Sequence, residues 1–333
     1  MQRVIAAFSA VLVLGLGAME TAQAAEGKLK GYMFGDYYYI VSGMDEKQNA
    51  FQFRRIYFTY DQKWDDRFSG RLRTEANDAG FGEGGKMVPA VKDAYLKYKR
   101  GNHAISAGIV GTPTWNVSEK AWGYRSVEKT IMDLNKIGSS RDEGILLKSN
   151  LDGDGRFGLQ VMVANGNSNK SEVDNHKKYY GLLSFAPSDG VVATAYADLQ
   201  TRPGDRDKNT LGLFVGKQGK DLHGGIEAYL QTTGAGSGGD DVTGQGVSVF
   251  AAKRVGEKTK VFARADVVDP NTDVDDDGHN VLIVGIDTEP TKGIHIMPNI
   301  WIKSYQASGV DATVMPRITA FFKFPEFKFE QGE

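Results

Sequence analysis

The sequence contains no cysteine, which excludes disulfide bonds, thiolate metal sites and cysteine nucleophiles. Its formal net charge of -2 lacks the strong basic excess of a general nucleic-acid binder, so no nucleic-acid partner is predicted. After residue 19, no apolar run approaches the roughly 20 residues that a membrane-spanning helix needs. If this chain enters a membrane, it must do so as a closed β-barrel, because lipid tolerates no unpaired strand edge.

Catalytic signatures are also missing. The five histidines are scattered, and there is no H-E-x-x-H pair, G-x-S-x-G elbow, P-loop or dinucleotide fingerprint. The sequence therefore predicts neither an enzyme nor a cofactor. A serine and a histidine on neighbouring strands could still form a dyad that spacing does not reveal, so a barrel hydrolase stays open as an alternative.

The first 24 residues have the features of a secretory signal peptide. Arg3 gives a small positive region, an apolar run extends from Val4 to Met19, and Ala22-Gln23-Ala24 fits an A-x-A cleavage site. We therefore expect residues 1–24 to be cleaved on export.

What the sequence does contain is a series of sixteen short segments of alternating polarity, from Leu29–Ile40 to Ala312–Phe324. Connections after even-numbered segments are tight, such as Gly101-Asn102, whereas those after odd-numbered segments are usually longer, such as Asp78–Pro89. Membrane barrels sort their connections in this way, with short turns at the periplasmic rim. We predict an all-β fold over residues 25–324, a closed antiparallel transmembrane barrel of sixteen strands, with fourteen or eighteen as alternative counts.

The two faces of these segments differ. In the last segment Val314 and Ile318 share one face, while Arg317 and Lys323 share the other. The apolar face would meet lipid and the charged face would line a wet lumen, where rows of opposite charge would set a transverse field. A solvated, salt-bridged wall without ion preference is the alternative. The predicted pore-lining residues are Arg55, Arg71, Arg73, Glu75, Asp93, Lys97, Arg264, Asp266, Lys303 and Arg317.

Aromatic residues fall where the two membrane interfaces should lie. Tyr37 and Tyr39 are near the outer rim and Trp64 is near the periplasmic rim, as expected of an aromatic girdle. Phe51 and Phe53 are also near the outer rim, but strict alternation puts them on the Arg55 face.

The longest connection, Gly111 to Glu143, is too long to be a simple loop. Asn116-Val-Ser-Glu119 resembles a capping box, and the apolar residues from Val127 to Leu134 suggest a short amphipathic helix. General porins resemble the chain here, because their third long loop folds into the lumen and narrows it. A lid over the mouth and an oligomer contact are the alternatives. The candidate constriction residues are Trp115, Lys120, Trp122, Arg125, Glu128 and Lys129.

One acidic loop resembles half of a calcium site. Asp273, Asp275, Asp277 and Gly278 match the start of an EF-hand loop, but Val284 stands where the bidentate glutamate belongs. We predict no metal site and treat the three aspartates as a weak candidate. A hydrated loop that shares divalent ions with surrounding lipopolysaccharide is the preferred interpretation.

Several stretches resemble the phosphate-selective porin O/P family. In that family a paired-arginine strand leads through a short acidic turn into a charged strand, and a long insertion follows. The resemblance implies a 16-stranded trimeric porin. It does not secure phosphate as cargo, because the insertion mixes Arg125 and Lys129 with Glu119 and Glu128. The stretches that carry it are Phe53–Tyr60, Trp64–Phe68, Arg71–Glu75, Asp93–Tyr98 and Ser106–Gly108.

The end of the chain departs from that family. Such porins commonly end on an aromatic residue, and Phe322-Lys-Phe324 fits, but residues 325–333 follow it. Pro325 should end the strand, so we expect a periplasmic tail, either contacting a partner or disordered.

These observations together predict a porin of the bacterial outer membrane. It would form a homotrimer in lipid and lipopolysaccharide and let small hydrophilic solutes or ions diffuse passively. The main alternative is a non-conducting barrel that acts as a binding scaffold, or as a sheath for a partner protein.

Overall fold

The computed structural model describes residues 25–330, so the predicted signal peptide and residues 331–333 lie outside the described residues. The chain forms one antiparallel sheet of 17 strands that closes on itself, because each strand from β1 to β15 pairs with the next and β16 pairs with β1. The predicted closed barrel of sixteen strands is confirmed, with one short strand added. The strands are β1 Glu26–Tyr39, β2 Asn49–Lys63, β3 Phe68–Ala76, β4 Ala90–Arg100, β5 His103–Gly111, β6 Arg141–Asn150, β7 Phe157–Ala164, β8 Lys178–Phe185, β9 Val191–Gln200, β10 Lys208–Gln218, β11 Leu222–Thr233, β12 Val242–Gly256, β13 Thr259–Asp269, β14 His279–Thr291, β15 Ile294–Tyr305, β16 Thr313–Lys323 and β17 Phe327–Glu330.

The two rims of the barrel differ as the sequence predicts. Connections after even-numbered strands range from residues 257–258 to residues 151–156, and this end is called the turn rim. Connections after odd-numbered strands range from residues 201–207 to residues 112–140, and this end is called the loop rim. Two-residue turns such as 101–102 need a backbone that glycine adopts readily, and Gly101 has φ of 55°.

The outer face of the barrel is apolar and exposed. In β10, Leu211, Leu213 and Val215 are 57%, 64% and 57% exposed, while Phe214 between them is buried inside. Exposed leucine, valine or isoleucine side chains recur on β3, β4 and β6–β16. A continuous apolar surface of this extent is far larger than water-soluble monomers leave uncovered.

Register shifts interrupt four of the strand pairings: β1–β2, β3–β4, β12–β13 and β14–β15. The bulges of β2 and β4 affect which side chains face the lumen. In β2 the register to β1 shifts between Arg55 and Phe53, which leaves Arg54 as an extra residue. In β4 the register to β3 shifts in the same way and leaves Lys92 unpaired. The β2 bulge corrects one expectation, because Phe51 lies on the outer face, 86% exposed, with its ring 4.6 Å from that of Tyr37.

The C-terminal segment completes the seam of the barrel. Strand β16 pairs with β1 only over residues 32–38, and β17 pairs with the remaining edge at residues 26–29. Residues 327–330 are therefore held by a backbone ladder, and Phe329 packs over Gly27. That the tail faces the periplasm stays a prediction.

The long connection between β5 and β6 carries two short helices, α1 Asn116–Trp122 and α2 Ile131–Leu134. We call residues 112–140 the insertion. The capping-box prediction is wrong, because Trp115 is the N-cap residue and makes no side-chain cap. The hydroxyl of Ser118 instead bonds to the carbonyl of Trp115 and to Glu227 on the barrel wall. Within residues 25–330, no helix is long and apolar enough to cross a membrane.

Candidate pore and constriction

The insertion lies inside the barrel against one part of its wall. Trp122, Tyr124 and Val127 are buried in a cluster with aromatic residues of β10, β12 and β13. Trp115, Ile131 and Met132 are buried in a second cluster with tyrosines of β8, β9 and β11. Val281 and Ile283 of β14 also belong to the first cluster, so the contacts come from consecutive strands, and we call β8–β14 the covered wall. Such contacts require the insertion to fold inward, which excludes a lid above the mouth.

Hydrogen bonds fix the insertion to the covered wall at several heights. Ser118 donates to Glu227 at 2.6 Å, and Gln231 donates to the carbonyl of Ile137 at 2.6 Å. The indole N–H of Trp122 donates to the carbonyl of Glu128 at 2.9 Å, which closes the turn after α1. The Ser118 and Trp122 bonds are buried and the Gln231 bond is partly buried, so each bond avoids the cost of an unpaired group.

Arg264 of the covered wall contacts the insertion at both Trp122 and Lys129. Its guanidinium lies 5.5 Å from the Trp122 ring and donates to the carbonyl of Lys129. It also pairs with Asp266 at 2.6 Å. Both side chains are fully enclosed, at 2% and 1% exposure, so they hold the insertion in place instead of facing open space.

On the opposite side, the insertion is held through Glu128. Arg317 of β16 lies 3.4 Å from this carboxylate, and Arg54 of β2 lies 3.8 Å from it. Arg54 also pairs with Asp36 at 2.7 Å and donates to the carbonyl of Val127 at 2.7 Å. Burial alone would raise the pKa of Glu128, but the two arginines and the N–H of Lys129 outweigh it and lower the pKa to about 2. The insertion therefore bridges the lumen.

A cavity of about 640 Å³ stays open beside the insertion. Much of its lining comes from β1–β6, which we call the open wall. Arg55, Arg73, Lys92 and Arg141 supply the positive groups on this side. The insertion supplies Arg125, together with carboxylates, to the facing side.

The positive groups of the open wall outnumber the carboxylates they contact. Arg55 and Lys92 each lie 3.2 Å from Glu75, so the two cations share one carboxylate. Arg73 lies 3.4 Å from Asp93, which Arg141 also contacts. Arg71 approaches Asp93 as well, at 3.8 Å, so five cations contact these two carboxylates and this wall is locally positive. On the insertion, Arg125 pairs with both Glu119 and Asp133 at 3.3 Å, so that side is locally negative.

A second cavity of about 530 Å³ opens toward the turn rim. Arg71 and Lys97 line it, and Arg71 pairs with Asp61 at 2.6 Å. Among the predicted pore-lining residues, the structure thus brings Arg55, Arg73, Glu75 and Asp93 together. Arg71 lies next to this group, 3.8 Å from Asp93, and Lys97 lies farther along the lumen. Lys303 lies elsewhere on the inner face, with its ammonium 5.1 Å from the Tyr305 ring.

The predicted constriction residues divide into anchors and exposed groups. Trp115 and Trp122 are buried anchors, at 4% and 0% exposure, and Glu128 is a buried ionic anchor. Arg125 lines the cavity directly. Lys120 is exposed, and Lys129 takes part through its carbonyl. That any of these side chains controls conduction stays a prediction.

Two inward-facing cations were missed by reasoning from alternation. Arg54 and Lys92 occupy the two bulges, where successive charged residues both point into the lumen. The only local signals of these bulges are the adjacent charged residues Arg54-Arg55 and Lys92-Asp93, and neither pair by itself specifies a bulge.

The acidic loop does not form a metal cluster. Within residues 25–330, no group of three or more histidine, aspartate or glutamate side chains could hold a metal ion. Asp273 and Asp275 are exposed, and Asp277 is only partly covered. The weak candidate site at these residues is thus not assembled.

One serine–histidine pair does occur, between adjacent strands. His103 Nδ1 lies 2.7 Å from Ser149 Oγ, across the β5–β6 ladder. The register places both side chains on the outer face with Ile105 and Leu147. No carboxylate within the described residues is hydrogen-bonded to His103, so the pair lacks the group that would orient the imidazole.

Comparison with known proteins shows which solved structures have a similar fold. No protein-family model and no curated protein sequence matches the chain. The outer membrane channel DcaP of Acinetobacter baumannii matches with a TM-score of 0.67 and 15% identity, covering 93% of this chain and 100% of that one. OmpT of Vibrio cholerae matches with a TM-score of 0.66 and 12% identity over 92% and 100%. An anion-selective porin from Comamonas acidovorans matches with a TM-score of 0.65 and 13% identity over 90% and 100%.

At such identities the similarity establishes the fold alone. The chain has the barrel fold of outer-membrane porins. Its resemblance to the phosphate-selective porin O/P family stays a prediction.

Proposed function

We propose that this chain is a porin of the bacterial outer membrane, a passive diffusion channel for small hydrophilic solutes or ions. The observation that carries the proposal is the charged cavity of about 640 Å³ beside the insertion, inside a barrel whose outer face is apolar. An apolar band outside and a polar lumen inside are what a membrane-spanning barrel requires. The insertion would set the bore, and residues 1–24 would direct export.

The charges of the cavity indicate which solutes the pore would favour. The locally positive open wall and the locally negative Glu119–Asp133 side of the insertion face the same space. Such a transverse field would orient water and polar solutes and disfavour apolar ones. The predicted pore-lining residues Arg55 and Arg73 would contribute to it most directly.

The surroundings of the barrel follow from the same proposal. The exposed leucine and valine side chains would contact outer-membrane lipid, and the exposed Asp273 and Asp275 would share divalent ions with lipopolysaccharide. A homotrimer is the proposed assembly. In its favour, one matching structure is described as the trimer form of in-vitro folded OmpT of Vibrio cholerae, at 13% identity.

The test is the single-channel current of the refolded protein in a planar bilayer. Stable conductance steps are expected, and deleting Trp115 to Lys136 should raise the conductance because it removes the segment that crosses the lumen. The matched control deletes Gly80 to Gly85, in a loop of the same rim where a Cβ on Gly82, Gly84 or Gly85 would meet nothing within 4 Å. That deletion should leave the conductance unchanged.

Two outcomes would count against the proposal. Unchanged conductance in the folded, heat-modifiable Trp115–Lys136 deletion would remove the insertion from the constriction. No conductance steps from a folded full-length barrel would instead favour a plugged or partner-filled scaffold.

A further inference from the structure

Four aromatic rings form a continuous row along the cavity. Tyr57, Tyr32, Phe321 and His295 belong to four strands that neighbour one another around the barrel: β2, β1, β16 and β15. The ring centroids lie 4.8 Å apart for Tyr57 and Tyr32, and 5.7 Å apart for Tyr32 and Phe321 and for Phe321 and His295. All four side chains line the 640 Å³ cavity and are only partly buried. We call them the aromatic row.

The row begins at the locally positive part of the open wall. The guanidinium of Arg73 lies 5.5 Å from the Tyr57 ring centroid, and Arg55 lies on the same strand as Tyr57. Because Arg55 and Lys92 share Glu75, and Arg73 and Arg141 share Asp93, these cations are not fully neutralised. Arginine in this setting can still donate paired hydrogen bonds to a planar anion.

The far end of the row has different electrostatics. His295 Nδ1 lies 2.8 Å from Asp287, so the carboxylate there already has a partner. Lys260 lines the same end of the cavity and pairs in register with Asp287 across β13 and β14. A cationic solute would therefore find no free carboxylate at this end and an excess of positive charge at the other. The locally negative Glu119–Asp133 side faces the same cavity, but both of its carboxylates already pair with Arg125.

We propose that this cavity is a binding subsite for small aromatic carboxylates of the benzoate type. The carboxylate would contact Arg55, Arg73 or Lys92, and the ring would lie against Tyr32 and Phe321. Aromatic rings favour one another in offset or edge-to-face arrangements beyond what their apolar area explains. This inference rests on the proposed pore, because it names the solute class that the same cavity would retain.

Other solutes use only part of this arrangement. An inorganic anion would contact the cations but gain nothing from four rings in a row. An aliphatic carboxylate would gain from burial of its apolar surface but not from ring stacking. An aromatic cation would use the rings but meet the positive wall. The aromatic carboxylate alone uses both features.

The first experiment compares three solutes of matched size, and acetate as a small carboxylate, on the full-length refolded barrel. Benzoate, cyclohexanecarboxylate, acetate and benzylammonium are added to a planar bilayer in potassium chloride, and the concentration that halves the single-channel current is measured. Benzoate is expected to act at a concentration about threefold to tenfold lower than cyclohexanecarboxylate, the range that one aromatic pair contributes. Equal potency of these two, or stronger block by benzylammonium, would overturn the proposal.

Variants then assign the effect to the row. Tyr32→Leu should remove the difference between benzoate and cyclohexanecarboxylate, and Arg73→Gln should weaken block by both. Tyr37→Leu is the matched control, because Tyr37 is on the outer face beside Phe51. Persistence of the difference in a folded Tyr32→Leu barrel would show that the row does not hold the ring.

Binding must also be measured without conduction. Calorimetric titration of benzoate into the detergent-folded barrel gives the affinity even if the pore is closed. Binding without conductance would retain the subsite and contradict the diffusion channel. Conductance without selective binding would retain the channel and contradict the subsite.

Discussion

The covered wall and the open wall are built from the same kind of strand, yet they differ in regularity. From β8 to β12 the pairing runs without a register shift, and every second side chain faces inward. The one shift within the covered wall, between Arg254 and Gly256 of β12, lies beside the turn at residues 257–258. On the open wall, β2 and β4 each contain a bulge. The regular wall presents Phe214 and Phe250 to the insertion, whereas the bulged wall presents charged groups to open space.

This difference shows how one fold can provide both a docking surface and a channel lining. A regular ladder spaces its inward residues evenly, which suits aromatic packing against α1. A bulge adds one inward residue to the same length of strand and so raises the local charge density. Arg54-Arg55 and Lys92-Asp93 are both of this kind.

The largest effect is expected from removing the packing of Trp122, a residue of the insertion, against the covered wall. Its side chain is fully buried and its ring lies 5.4 Å from both Tyr124 and Phe250. Trp122→Ala should weaken the docking of the insertion by about 3–5 kcal/mol, the usual cost of such a truncation. Higher and noisier single-channel conductance and faster proteolysis within residues 112–140 are expected.

The control for this variant is Trp64→Ala, because Trp64 is 48% exposed at the turn rim. It should change neither conductance nor proteolysis of the insertion. If Trp122→Ala behaved like Trp64→Ala, the aromatic cluster could not be what holds the insertion against the covered wall.

The covered wall is also where the sequence was most informative. In β13 the alternation of Val261 and Ala263 with Phe262 and Arg264 correctly separates outer from inner side chains. It does not reveal that Arg264 is buried, because the covering residues are more than a hundred positions away in the sequence. The prediction that the insertion folds inward rests on the resemblance to general porins and not on the residues of the insertion itself.

On the open wall, alternation predicts the strands correctly but identifies only some of the side chains that line the lumen. Alternation does not identify Arg54 and Lys92 as inward-facing, and it predicts Phe51 on the inner face, whereas the structure has Phe51 on the outer face. A bulge arises from how two strands pair, so one strand's sequence cannot locate it. The aromatic row was missed for a similar reason, since its four rings come from both ends of the chain and meet only when β1 pairs with β16.

The second prediction concerns Glu128, which joins the insertion to both β2 and β16. Its pKa is lowered from 4.5 to about 2, so its ionic contribution is fully present above pH 4.5 and is lost as the pH falls toward 2. The shift corresponds to about 3 kcal/mol of docking free energy. The wild-type conductance should therefore rise as the pH falls from 4.5 to 2.

Glu128→Gln should remove this acid-dependent rise and increase the conductance already at pH 7. The matched control is Glu83→Gln, since Glu83 is exposed in the loop between β3 and β4. That variant should keep the wild-type profile. An acid-dependent rise that persists in Glu128→Gln would assign the titration to other carboxylates of the lumen.

The smallest effect is expected from the bulge of β4. Lys92→Gln removes one of the two cations that contact Glu75 but keeps the extra residue. Stability should change by less than about 1 kcal/mol, because Arg55 still pairs with Glu75. The reversal potential in a potassium chloride gradient should shift toward cation preference, whereas Lys86→Gln in an exposed loop should leave it unchanged.

Deleting Lys92 separates its charge from the bulge that presents it. The deletion removes the ammonium and also lets β4 pair with β3 without a register shift. If the bulge serves only to present this one cation, the deletion and Lys92→Gln should shift the reversal potential equally. A larger shift in the deletion would mean that the bulge also positions Asp93, which Arg73 and Arg141 share. The open wall would then depend on its irregular backbone as much as on its charges.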